Sequence, residues 1–456
     1  MQQAQPKENK MGVMPIPKLV ITMSLPMMLS MLVQALYNIV DSIFVSRIDE
    51  YALTAVSMAF PMQNLMIAVA SGTGVGINAF LSRSLGEKKQ KEADLAAANG
   101  IFLAVVSYIV FAVVGLLFSR PFFEMQMQAQ TRVPEIVEYG VQYLSVITLF
   151  SFGVFLQITM ERLLQSTGRT FFNMITQGIG AITNIILDPI LIFGLFGMPK
   201  MGVAGAAAAT VAGQILAMIL GVIFNMKFNT DIHISLKGFR PSRRIIGIIY
   251  SVGVPSIIMM AIGSVMTFGF NKILMMFTST ATAVFGVYFK LNSFAFMPVF
   301  GLNNGIIPII AYNYGARNKK RITDAIKISI VIATAVMVAG FLVFQLLPEQ
   351  LLLLFNASEN MLEIGIPALR TISISFLFAG FGIVVGSVFQ ALGNGVYSLL
   401  ISLSRQLIVL LPAAYILAKA LGLSAVWWSF DIAEIVSLVM SIFLLKKIYK
   451  DKVRDL

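Results

Sequence analysis

Gly72-Thr-Gly-Val-Gly76-Ile-Asn-Ala-Phe-Leu-Ser-Arg-Ser-Leu-Gly86 and Gly301-Leu-Asn-Asn-Gly305-Ile-Ile-Pro-Ile-Ile-Ala-Tyr-Asn-Tyr-Gly315 are two copies of one pattern, 229 residues apart. Glycine holds the first, fifth and last place of each, and a basic loop follows both. The register extends outward. Pro26 meets Pro255, Asn64 meets Asn292 after a one-residue slip, and Leu-Gln-Ser-Thr-Gly at 164–168 meets Phe-Gln-Ala-Leu-Gly at 389–393. The chain is therefore an internal duplication. Gly72-Thr-Gly74-Val-Gly76 lies inside an apolar run and lacks the lysine of a phosphate loop, so it reads as helix packing.

The sequence around these copies is too apolar for a soluble protein. Hydrophobic residues make up 58% of the 456 positions and charged residues 12%, against roughly a quarter charged in soluble domains. Apolar runs of about 20 residues, enough to cross a bilayer, recur throughout. With no cysteine, disulfides, thiol chemistry and Cys-based metal sites are excluded. The single histidine, His233, stands among polar residues in a loop. The net charge of +12 is spread over short loops between apolar runs, the pattern of a topology signal and not of a nucleic-acid surface.

Twelve transmembrane helices are predicted, near 17–46, 52–83, 92–120, 134–160, 168–195, 201–227, 243–277, 281–312, 321–347, 360–391, 395–420 and 424–447. Pro26 and Pro255 fall early in the first and seventh and should bend them. With the N-terminus inside, 24 of the 33 Lys and Arg fall in inner segments and 6 in outer ones, which places both termini in the cytoplasm. Arg162 counts among the inner loop bases, and Lys7 and Arg132 among the inner and outer bases. The fold class is an all-α membrane protein of two six-helix lobes. An even number of helices per copy relates the lobes by a pseudo-two-fold axis along the membrane normal. The expected organisation is a cytoplasmic leader at 1–16 that runs into an uncleaved first helix, an N-terminal lobe at 17–227, a cytoplasmic linker at 228–242, a C-terminal lobe at 243–447 and a cytoplasmic tail at 448–456.

Leu25-Pro26, the Gly72 and Gly76 pair and Ser84-Leu85-Gly86 together resemble the multidrug and toxic compound extrusion (MATE) family. So do Asn184-Ile-Ile-Leu-Asp188-Pro189 with Ile190-Leu-Ile-Phe-Gly194, and Pro298-Val-Phe-Gly301 leading to Pro308-Ile-Ile-Ala-Tyr312-Asn313-Tyr314-Gly315. The likeness is greatest to its MepA-like bacterial branch and covers nearly the whole chain. It implies a V-shaped exporter of mainly cationic, amphipathic compounds, driven by inward H⁺ or Na⁺, in a bacterial cytoplasmic membrane. Asp41, Asn184, Asp188 and Thr210 match the family's cation-handling cluster. The glutamate and aspartate that hold Na⁺ in the second lobe of some branches have no counterpart here in the seventh and tenth spans.

Ionisable groups inside a membrane are costly and usually functional. The first half places Asp41 and Asp188 in its spans with no base beside them. Such carboxyl groups must be protonated, bind a cation or meet water. Asn184 lies one turn from Asp188, and Gln34, Tyr37 and Asp41 share one helix face. The second half holds Lys272, Lys290 and Arg405 together with Asp431 and Glu434, and Arg405 reads as the structural partner of these acids. Gln34, Tyr37, Lys290 and Asn292 are candidates to line a substrate cavity.

A cation-coupled multidrug antiporter acting as a monomer, with H⁺ or alternatively Na⁺ as the coupling ion and no cofactor, accounts for these features. Its partners would be the lipid bilayer and small-molecule drugs or metabolites, with no nucleic acid. A flippase for lipid-linked precursors would want several bases facing its cleft, for which only Lys272, Lys290 and Arg405 are available. An intramembrane enzyme would need a metal, nucleophile or phosphate-loop motif, and the sequence carries none. The topology has a direct test, because added cysteines have no background: Ser235→Cys should resist an impermeant thiol reagent in intact cells and label only after the membrane is opened.

Overall fold

The computed structural model describes residues 8–126, 133–235 and 237–456. Arg132, residues 1–7 of the 1–16 leader, Lys7 among them, and position 236 of the linker lie outside the described residues. Among those described there is no strand. The α-helices are α1 Lys10–Val13, α2 Ile16–Ser46, α3 Glu50–Gly86, α4 Gln90–Gln126, α5 Pro134–Leu149, α6 Phe152–Ser166, α7 Thr170–Phe193, α8 Val203–Phe228, α9 Arg243–Leu274, α10 Ser279–Gly315, α11 Lys319–Leu346, α12 Pro348–Leu353, α13 Glu359–Ser373, α14 Phe376–Ala391, α15 Gly395–Leu403, α16 Leu410–Leu421, α17 Leu423–Val426 and α18 Ser429–Ile448.

Ten stretches are long and apolar enough to cross a membrane, and two bent pairs bring the total to twelve. The pairs are α5 with α6, at 45°, and α13 with α14, at 49°. Each is the fourth span of its half. The sequence predicts a single span at each place, 134–160 and 360–391, without locating a break, and proline does not make either break. Hydroxyl groups flank both: Thr148 Oγ1 donates to the Leu144 carbonyl at 2.8 Å, Ser373 Oγ to that of Arg370 at 2.9 Å, and Ser375 Oγ to that of Ile372 at 2.6 Å. Side chains that bond back to their own helix compete with its ladder and bend it. Pro26 and Pro255 instead sit inside uninterrupted helices, α2 and α9. A second departure lies between α15 and α16, where Ser404–Val409 winds as a π-helix and carries Arg405.

The chain forms two compact units, each discontinuous in sequence. One contains Leu29–Leu81 and Lys89–Gly253. The other contains the chain up to Met28, Ser82–Lys88 and Val254–Leu456. Of the four crossings from one unit to the other, two flank Ser82–Lys88 and two fall inside α2 and α9, within two residues of Pro26 and Pro255.

Glycines explain the exchange. In the first unit, a Cβ on Gly76 of α3 would lie 2.0 Å from the Ile249 carbonyl oxygen of α9. In the second, a Cβ on Gly305 of α10 would lie 2.4 Å from Ser24 Oγ of α2, and one on Gly301 2.5 Å from the Met28 Cα. Gly86 and Gly315 meet in the same way, each close to the other's helix end: a Cβ would come within 1.9 Å of the Tyr312 oxygen and 2.2 Å of the Arg83 oxygen. Lipid gives helices no hydrophobic reason to associate, so close backbone packing has to supply the attraction.

The described part of the leader is also tied down. Asn9 caps α1 through the Met11 amide at 2.9 Å, and Arg321 of α11 donates to the Met11 and Met14 carbonyls at 2.9 and 2.8 Å. The linker is held to the first unit: Arg169 pairs with Asp231 at 3.0 Å, and Asp94 accepts the His233 amide at 2.8 Å.

The glycine contacts generate a paired prediction. Gly76→Ala should cost at least about 1–3 kcal/mol through overpacking against backbone. Gly178→Ala in α7, where a Cβ meets nothing within 4 Å, should be neutral or gain up to about 1 kcal/mol. Midpoints of thermal unfolding in detergent would separate the two.

Candidate functional site

The α7–α8 seam positions the polar cluster of the first unit. A Cβ on Gly213 would lie 2.6 Å from the Gly180 carbonyl oxygen, and one on Gly205 2.5 Å from that of Leu191. Only glycine permits these approaches, and they bring Thr210 of α8 against Asn184 of α7. The hydrogen bonds fix the Asn184 amide: its nitrogen donates to Asp188 Oδ2 at 3.1 Å, and its oxygen accepts from the amide and hydroxyl of Thr210, both at 3.1 Å.

Across from them, α2 supplies Asp41. Its carboxyl group hydrogen-bonds with that of Asp188, which requires a proton on one of the two. Asp188 is fully buried. One oxygen of each carboxyl group, Oδ1, is buried and has no hydrogen-bond partner among the described residues. The phenols of Tyr37 and Tyr143 stand close enough to feel the charge of the pair, and Gln63 Nε2 donates to Tyr143 Oη at 3.0 Å. Asp41, Asn184, Asp188 and Thr210 are thus brought together, with Tyr37 beside them. Gln34 lies half-buried one turn before Tyr37 on α2. Tyr143 and Gln63 carry no sequence signal, because neither stands three or four residues from an Asp, Glu, Lys or Arg of its own span.

Glu161 and Arg162 correct the picture of the first half. The sequence ends the fourth span at 160 and leaves Arg162 in a loop, whereas α6 continues to Ser166 and buries both side chains, at 3% and 8% exposure. The first unit therefore does hold a buried base of its own. Neighbouring amides and hydroxyls make this burial tolerable. Glu161 accepts from Gln157 at 2.9 Å, Gln177 at 2.8 Å and Thr176 at 3.4 Å, and Arg162 donates to Gln165 at 2.7 Å. The signal was in the sequence: three glutamines within 157–177 beside an apolar run.

The second unit's candidates are less concentrated. Arg405 Nη1 lies 3.5 Å from Glu434 Oε2, and both Glu434 and Asp431 are buried. Tyr288 donates to Asn292 at 3.2 Å. Lys290 and Lys272 are exposed, 5.9 and 4.8 Å from the ring centroids of Phe355 and Phe268.

The MatE family model matches this chain twice, over 26–190 and 255–416. The two matches begin at the two prolines that the duplication pairs. The chain belongs to the MatE family. The multidrug export protein MepA of Staphylococcus haemolyticus (strain JCSC1435) is 28% identical over 422 residues, which cover 92% of this chain and 91% of MepA. An outward-facing multidrug resistance MATE transporter of the MOP superfamily superposes with a TM-score of 0.90 at 27% identity, covering 98% of each chain. A MOP superfamily transporter from Pyrococcus furiosus Vc1 (DSM3638), whose reversed binding-pocket polarity suggests a different function, superposes at 0.88 with 26% identity, again covering 98% of both. This MatE protein is accordingly a multi-pass membrane transporter of the multidrug efflux family, not an enzyme.

The solvation of Glu161 in this MatE chain can be tested. Gln177→Leu removes an amide donor at nearly constant volume and should cost about 1–3 kcal/mol, seen as a lower unfolding midpoint. An unchanged midpoint would mean that the remaining donors suffice.

Proposed function

We propose that the chain exports amphipathic, mainly cationic small molecules in exchange for an inward-moving cation, and that the Asp41–Asp188 pair carries that cation. The observation that supports this is the carboxyl–carboxyl hydrogen bond with an unpartnered buried oxygen on each side. Of the buried acids in the first unit, these are the two not solvated by a set of amides. A proton between them satisfies both; a Na⁺ would draw on the same two carboxyl groups with Asn184 and Thr210. The coupling ion in this reading is H⁺, with Na⁺ as the alternative.

Exchange requires that drug and cation favour different states, and differential affinity is enough for that. Loading or unloading the pair changes the hydrogen bond that ties α2 to α7. Pro26 lacks the backbone donor a straight helix would use there, so α2 has a place to bend in response. The repeat lobes in this reading are 17–227 and 243–447, joined by a cytoplasmic linker at 228–242, with the leader 1–16 and tail 448–456 on the same side of a bacterial cytoplasmic membrane, and a single chain suffices.

A flippase for polyanionic lipid is the second reading, since the fold accommodates a pocket of reversed polarity in the Pyrococcus furiosus relative. It is disfavoured because one of its three candidate bases, Arg405, faces Glu434.

The Asp41→Asn, Asp188→Asn double variant, reconstituted in proteoliposomes, should retain its fold and lose both ΔpH-driven and Na⁺-driven efflux of a cationic dye. Replacing Asp231 of the linker should change little. Near-normal efflux by the double variant would remove the pair from the mechanism.

A further inference from the structure

Three buried oxygens on one face of α18 remain outside this account, beside the two buried oxygens of Asp431 on the same helix. Glu434, Ser437 and Ser441 recur at i, i+3 and i+7, one face of the helix. The two serines are fully buried and Glu434 is 6% exposed. Serine in a helix commonly donates to a carbonyl of the preceding turn, as Ser429 does to Val426 at 2.6 Å. Ser437 Oγ, Ser441 Oγ and Glu434 Oε1 have no hydrogen-bond partner among the described residues. All three converge on Gly382 of α14, where a Cβ would stand 3.5 Å from Glu434 Oε1, 3.7 Å from Ser437 Oγ and 4.0 Å from Ser441 Oγ. Glycine at 382 thus leaves room for a group of about methyl size, bounded by one carboxylate oxygen and two hydroxyl oxygens.

The charge around this point does not balance. Glu434 and Asp431 are acids, and among the described residues the one base paired with them is Arg405, which approaches the other oxygen of Glu434 at 3.5 Å. The Tyr288 phenol faces the same acids and can supply no positive charge. With both acids ionised, the cluster carries one uncompensated negative charge inside an apolar bundle. One monovalent positive charge neutralises it, and a divalent ion would overshoot. A water molecule could use the hydroxyls but would leave the charge in place. A proton could neutralise the charge but needs no room.

We propose that Glu434, Ser437 and Ser441, with the room left by Gly382, form a second cation site in the C-terminal part of the chain, for a dehydrated monovalent cation of sodium size. Its ligands come from α18 across from α14. The site shares no residue with the Asp41–Asp188 pair, so the two can be loaded independently.

The test uses the purified full chain carrying Asp41→Asn and Asp188→Asn, which removes the first unit's acids from the readout. A ligand that binds only the folded state raises the unfolding midpoint. Replacing choline chloride with sodium chloride at equal concentration should therefore raise that midpoint by a few degrees. Adding Gly382→Ala should abolish the sodium-specific rise while leaving the midpoint in choline close to that of the parent, since the new methyl group makes only ordinary contacts. Ser437→Ala with Ser441→Ala should abolish it too, and decides the matter if Gly382→Ala fails to fold. No sodium-specific rise in the parent, or a rise that survives either change in a folded protein, overturns the site. Either result leaves the Asp41–Asp188 reading untouched, because efflux tests that separately.

Discussion

Where α10 passes α2, a Cβ on Gly305 would lie 2.7 Å from the Ser24 Cα and 2.4 Å from its hydroxyl. Nothing larger than hydrogen fits, and the same is true at Gly76 against α9 and at Gly213 against α7. In lipid the attraction between helices has to come from such contacts, because exposed leucine is as comfortable in a hydrocarbon chain as against another leucine. Backbone approach also sets what side chains can do. Asn184 reaches Thr210 because α7 and α8 touch at Gly180 and Gly213. The polar cluster is in this sense a by-product of a glycine seam, placed to within hydrogen-bond distance by contacts that contain no chemistry.

The buried acids are stabilised in different ways. Glu161 accepts from two glutamines and a threonine, an arrangement that resembles hydration by fixed dipoles. Glu434 leans on Arg405 through one oxygen. Asp41 and Asp188 lean on each other. A carboxylate wrapped in amide donors is satisfied as it stands, whereas two carboxyl groups facing each other need something from outside to satisfy them. The contrast is what the proposed function builds on: one acid is satisfied in place, and the pair is not.

Much of this was legible in the sequence. The glycine register of 72–86 and 301–315 established the duplication, apolar run lengths gave the spans, and the four-residue spacing of Asn184 and Asp188 put them on one face. What escaped was local bending and winding. The breaks at 150–151 and 374–375 lie beside Thr148, Ser373 and Ser375, which bond backward, and serine and threonine do this in many straight helices too. The π-turn that carries Arg405 leaves no mark in periodicity over so short a stretch. Glu161 and Arg162 were misplaced because an adjacent acid and base look like the end of a span, and only tertiary contacts show that Gln157, Gln165 and Gln177 carry the bundle past them. The unpartnered serines of α18 were invisible for a related reason: in sequence they are ordinary small residues in an apolar helix.

The crossings inside α2 and α9 bear on how such a protein can be divided. A gene cut in the 228–242 linker separates the two copies of the repeat cleanly, yet it does not separate the two compact units. The first fragment would carry Ser24 and Met28 away from Gly305 and Gly301, and the second would carry Ile249 away from Gly76. Each polypeptide would emerge from the ribosome with one stretch whose packing partners are encoded on the other. Co-expressed halves would have to find one another before either could finish folding, and an ancestral single-copy chain could have completed both units only as a pair.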